Sequence, residues 1–112
     1  MEDHLHILWT NADPVVFDKM VVMYAVNSLV HGWWKRVTVI IWGGAAKLTA
    51  EDPGVAERIR LARGAGVEFS ACVSCARELG VEPELAALDL EMIPWGPPLT
   101  ELLKSKAPLL TV

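Results

Sequence analysis

The chain has 112 residues, 53% of them apolar, and a formal net charge of −4. That length suits one domain able to bury a core without disulfide or metal staples, and the acidic balance argues against nucleic acid, because phosphate binding needs a basic surface. No apolar run approaches the ~18 residues of a membrane span, and the longest is interrupted by Asp18, Lys19, Asn27 and Ser28.

The start Met1-Glu2-Asp3-His4 lacks the basic residues of a secretory leader, so the expected location is the cytoplasm, where two cysteines stay reduced. Residues 5–10 form a compact apolar run and read as a first buried strand. Asn11-Ala12-Asp13-Pro14 follows as a turn, with Asp13 as N-cap and Pro14 at the first helical position. The helix is expected over 14–29, stopping near Gly32. Its apolar residues (Val15, Val16, Met20, Val21, Val22, Met23, Ala25, Val26, Leu29 and Val30) exceed one stripe, which implies cover on two sides and hence a homo-oligomer. His6 reads as a packed strand residue and His31 as a helix C-terminal contact.

Residues 37–42, Val-Thr-Val-Ile-Ile-Trp, are the clearest strand: β-branched, continuous and without polar alternation, as in a parallel sheet covered on both faces. Gly43-Gly44-Ala45-Ala46 reads as a small-residue turn. Asp52 and Pro53 then open a helix whose inner stripe is Val55, Ile59 and Ala62, closed by Gly64-Ala65-Gly66. Residues 67–70 are a third strand, and Cys72 to Cys75 turn it into a short helix ending at Gly80, where Arg77 and Glu78 can pair locally. One helical turn over 84–87 precedes an alternating fourth strand at 88–93, placed near an edge. A rigid loop over 94–98, a helix over 99–104 with Leu99, Leu102 and Leu103 inward, and a last strand over 108–112 complete the chain. Strands and helices alternate five times with short connections. The expected fold is therefore a single α/β domain with an about five-stranded, mostly parallel sheet and helices on both faces.

Ligands of such sheets sit beyond the carboxyl ends of the strands. That edge gathers Trp9, Asn11 and Asp13 after strand one, Trp42, Gly43, Gly44 and Lys47 after strand two, Cys72 and Cys75 after strand three, and Trp95 after strand four. The expectation is an aromatic-rimmed, glycine-floored pocket around a thiol; the bland alternative is tryptophans that cap the core. Lys47 reads either as a partner of the thiolate or as a solvated loop lysine. Zinc would want four Cys or His ligands, and the histidines lie elsewhere, so neither metal nor cofactor is expected. The Cys-x-x-Cys spacing leaves a reactive thiolate, favoured by the helix start, against a pair of inert core residues. In the reactive reading Cys72 is the lower-pKa, first-alkylated thiol and Cys75, one helical turn on, resolves it. The alternative is that Cys75 faces the core.

The run 39–43 (Val-Ile-Ile-Trp-Gly), the run 64–75 ending in Cys72-Val73-Ser74-Cys75, Leu79-Gly80-Val81, and the ending 96–103 with Leu110-Thr111 resemble the DsrE/DsrF-like family over nearly the whole chain. That resemblance implies a small parallel α/β domain assembled as trimers or hexamers. It further implies a sulfurtransferase or sulfur-relay activity in which the cysteine matching Cys72 holds a persulfide. Sulfur donor and acceptor proteins, or a small sulfur compound, would be its partners. The other reading is a non-catalytic oligomeric module that binds a small ligand or exchanges thiols.

Overall fold

A computed structural model describes residues 3–112; Met1 and Glu2, on which part of the reading of the chain start falls, lie outside them. Strand β2 (Arg36–Ile41) occupies the centre. Val37 to Ile41 are buried without interruption, because both faces of the strand meet other layers. On one side it pairs with β1 (His4–Trp9) and on the other with β3 (Glu68–Cys72); β5 (Leu109–Thr111) joins β1, and β4 (Glu91–Ile93) joins β3. Every pairing is parallel, in the order β4-β3-β2-β1-β5. The expected five-stranded parallel sheet is thus present, with no antiparallel member among the described strands.

This order decides where the helices go. From β1 to β4 each crossover steps in the same direction, so right-handed connections place all their helices on one face. These are α1 (Pro14–Val16), a π-helical segment (Phe17–Val22), α2 (Met23–Val30), α3 (Gly44–Glu51), α4 (Pro53–Gly64), α5 (Val73–Glu78) and α6 (Glu82–Ala86). Against them pack Leu5, Ile7, Trp9, Val37, Val39, Ile41, Phe69 and Ala71. The return from β4 to β5 runs the opposite way, so its helix, α7 (Gly96–Lys104), lies on the other face. Nine residues make a helix about 14 Å long, against a sheet about 19 Å across. Helices therefore lie on both faces, as expected, but the second face is covered only in part. No helix among the described residues is long and apolar enough to cross a membrane.

Local details follow residue chemistry. The Asp13 carboxylate accepts from the N–H groups of Val15 and Val16 at 2.8 and 3.3 Å, and the helix continues unbroken over 14–30 through its π-helical middle. Asp52 caps α4 in the same way, through Gly54 and Val55 at 2.9 and 3.3 Å, and the inner stripe of Val55, Ile59 and Ala62 is buried as read. His31 is the C-terminal cap of α2.

Several expectations are corrected. The supposed turn at Gly43 to Ala46 opens a helix, α3, because Ala45 and Ala46 are small enough to bury completely where larger side chains would give a readable apolar period. β4 is three residues long rather than six: Leu88 and Asp89 turn away, and the Arg63 guanidinium donates to their carbonyls at 2.9 and 3.0 Å. α7 starts at Gly96, since Pro97 and Pro98 have the φ of a first helical turn. Its Leu103 is 59% exposed rather than inward. Arg77 pairs with Glu82, not Glu78.

At the amino ends of β2 and β3 the Arg36 guanidinium donates twice to the Glu68 carboxylate, at 3.0 and 2.8 Å. This contact holds the Glu68 carboxyl below its ordinary range, with burial opposing. A depressed carboxyl stabilises the fold above its unfolded pKa, and the contribution is lost as pH falls through the folded value. Both side chains are about half exposed, so the loss should be only ~0.2–1 kcal/mol. Urea titrations of wild type and Glu68→Gln should converge in acid and separate by that amount at neutral pH; a constant gap would refute the assignment.

Candidate functional site

Cys72 ends β3 and is the N-cap of α5, with extended backbone (φ −76°, ψ 110°). Cys75 sits three residues on, in the first turn. N-cap and N3 side chains lean toward each other across a helix start, and here the two cysteines pack in one apolar cluster. Both are free. Cys72 is only 3% exposed, whereas Cys75 is half-buried. Solvent access thus favours Cys75, whereas the sequence reading expected Cys72 to be alkylated first. The reading of Cys75 as a residue of one turn on the same face holds.

Burial pushes the Cys75 thiol up, and Cys72 and Glu78 add to the rise; the Gly43 backbone N–H, directed at the Cys75 sulfur, works against it. A six-residue α5 contributes little dipole. Gly43 itself has φ +62° and ψ −128°, a conformation that only glycine adopts without strain. It turns the chain sharply out of β2 into α3.

The two cysteines belong to an apolar cluster with Ile40, Trp42, Ile93, Trp95, Leu8, Leu99 and Leu102. The Trp95 indole donates to the Ser70 hydroxyl at 2.7 Å, and Ser70 in turn to the Glu91 carboxylate at 3.2 Å. Because Ser70 precedes Cys72 by two on β3, it shares the thiol face, and the chain of bonds fixes the indole beside the cysteines. Trp42 and Trp95 thus meet the thiols as expected.

Trp9 does not. It has the parity of Leu5 and Ile7, faces the opposite core with no exposed surface, and stacks on Phe17 at 4.3 Å. Asn11 and Asp13 form a local turn, the Asp13 N–H donating to the Asn11 side-chain oxygen at 3.1 Å. Gly44 lets the start of α3 approach the loop after β1: a Cβ there would lie 3.1 Å from the Thr10 carbonyl oxygen. Lys47 is exposed on α3, and the groups acting on the Cys75 thiol are Gly43, Cys72 and Glu78. Sequence reading missed Leu8, Ile40, Ser70, Ile93, Leu99 and Leu102; strand parity, counted back from Cys72 and Trp42, would have found Ser70 and Ile40.

Two hollows lie away from the thiols. One of about 610 Å³ is bounded by His4, His6, Leu102 and the turn after α7, and one of about 350 Å³ lies between α2 and α4, with Met23 and Leu61 on its wall. No cluster of three or more His, Cys, Asp or Glu side chains able to hold a metal ion occurs among the described residues.

The fold and its cysteine turn can be set beside solved structures. The conserved protein of unknown function BT1422 from Bacteroides thetaiotaomicron is 36% identical to this chain and superposes with a TM-score of 0.93, covering 98% of this chain and 95% of that one. The chain belongs to the family of that protein. Relative to BT1422, a more distant likeness is MTH1491 from Methanobacterium thermoautotrophicum, a protein of unknown function, at 14% identity and a TM-score of 0.71 over 99% of this chain and 100% of that one. That likeness shows the shared fold alone. No protein-family model matches the chain, and no curated protein matches it.

Proposed function

We propose that this BT1422-family protein carries sulfur as a persulfide on the Cys72–Cys75 pair. The observation that carries the reading is the packing of two free cysteines in one apolar cluster with Ile40, Trp42, Ile93 and Trp95 at the carboxyl edge of a parallel sheet. Apolar walls limit hydrolysis and oxidation of a reactive sulfur species, and a neighbouring thiol gives it an exit. The resemblance to the DsrE/DsrF-like family, in which the cysteine matching Cys72 belongs to a sulfur relay, supports the same chemistry. The setting is a reducing cytoplasm, with persulfide-bearing proteins or small sulfur compounds as donors and acceptors.

A second reading, dithiol–disulfide exchange without sulfur cargo, is favoured by the same packing of the two cysteines. Intact mass after treatment of the reduced protein with a small persulfide donor separates the two. Gain of one sulfur atom, absent when both cysteines are serine, is expected. Loss of two hydrogens with no sulfur-bearing species at any time would leave only thiol exchange.

We also propose a homo-oligomer, a trimer or hexamer. Met23, at 48% exposure, Leu61, at 61%, and the exposed Val15 and Val30 put apolar surface on the outer side of the helical layer, where a second copy would remove it from water. Light scattering that returns a clean monomer at micromolar concentration would refute this.

A further inference from the structure

We infer that Cys75 is the thiol that receives sulfur and that Cys72, packed beneath it, is the thiol that expels it as sulfide. This rests on the persulfide reading above and assigns its two roles in the order opposite to the chain. A donor must bring its outer sulfur into line with the attacking thiol, and of the two only Cys75 has surface for that approach. Cys72 touches solvent almost nowhere but packs in the same apolar cluster as Cys75. It is therefore shielded from donors and placed for one reaction, attack on its neighbour.

The steps balance as follows. The Cys75 thiolate attacks the outer sulfur of a donor persulfide RSSH. The donor S–S bond breaks, RS⁻ leaves, and a Cys75–S–SH persulfide forms. The Cys72 thiolate then attacks the Cys75 Sγ. The bond from Cys75 to the carried sulfur breaks, hydrosulfide departs with the electron pair, and a Cys72–Cys75 disulfide remains. The carried sulfur gains two electrons and each cysteine sulfur loses one. A dithiol reductant restores the pair.

The surroundings fit each step. The backbone amide of Gly43 favours the Cys75 thiolate that attacks the donor, and hydrosulfide leaves from the protonated persulfide. Burial raises the pKa of the unloaded Cys75 thiol, and a thiolate of raised pKa is the stronger nucleophile once formed. Loading should therefore accelerate as pH rises beyond the ordinary thiol range.

The test uses the reduced full chain and a small persulfide donor, followed by intact mass and sulfide release without added thiol. Wild type should release sulfide and end as the disulfide. Cys72→Ser should retain one added sulfur and release none, and Cys72→Ala, which suits the apolar site, repeats this if serine disturbs folding. Cys75→Ser should lose loading. Loading of Cys75→Ser with no loading of the Cys72 variants would overturn the assignment while leaving the persulfide reading intact, as would retained loading in all single variants. Absence of any sulfur adduct on every variant and on wild type would instead defeat the persulfide reading and this inference with it.

Discussion

Replacing Trp9 with alanine should destabilise the protein by about 3–5 kcal/mol, the usual cost of removing a fully buried large aromatic. That is a large part of the roughly 5–15 kcal/mol holding a domain folded. The side chain has no exposed surface and stacks on Phe17 with ring centroids 4.3 Å apart. Deleting it opens a cavity between β1 and the π-helical segment, where Ile7, Val21 and Ala25 are already packed and cannot close in. Trp9→Phe should cost much less. It keeps the stack and discards an indole N–H that has no hydrogen-bond partner among the described residues, a buried liability of about 1–3 kcal/mol. Denaturant midpoints measure both losses. The same variants should leave the native alkylation rate of Cys75 unchanged, since Trp9 lies on the far side of the sheet. A change in that rate without a change in midpoint would put Trp9 at the thiols after all.

Gly43→Ala should have the second largest effect, about 1–3 kcal/mol of backbone strain. A Cβ at Gly43 would meet only the Thr10 carbonyl oxygen, at an ordinary 3.8 Å, so the cost is conformational rather than steric. Its φ of +62° with ψ −128° belongs to the first central residue of a tight mirror-image turn, where L side chains are disfavoured. The chain relieves such strain by rotating the peptide that carries the Gly43 N–H, and that N–H is what favours the Cys75 thiolate. The Cys75 pKa should then rise further, and alkylation at neutral pH should slow beyond what the stability loss explains. Unchanged alkylation across a pH series, in a variant that is measurably destabilised, would remove the amide from the site.

The alternation of strands and helices, the caps at Asp13 and Asp52, and the central position of β2 were all legible in the sequence, because each depends on residues adjacent in the chain. Asp13 reaches N–H groups two and three residues on, and Val37 to Ile41 carry their burial in their own composition. The cysteine turn was legible for the same reason: strand, N-cap and first helical turn follow one another from Glu68 to Glu78. Whether neighbouring strand-end residues share a site was not, because that depends on parity and on which face each crossover takes. Trp9 ends β1 and Trp42 directly follows β2, yet one faces the helical core and the other joins the cluster of the cysteines. The relative exposure of Cys72 and Cys75 was equally out of reach. It is set by Ile40, Ile93 and Trp95, brought from three other parts of the chain, and by α7 crossing the second face without filling it. Local interactions fixed the elements here; the direction of each crossover, with the two-residue period of the strands, decided which side chains could meet.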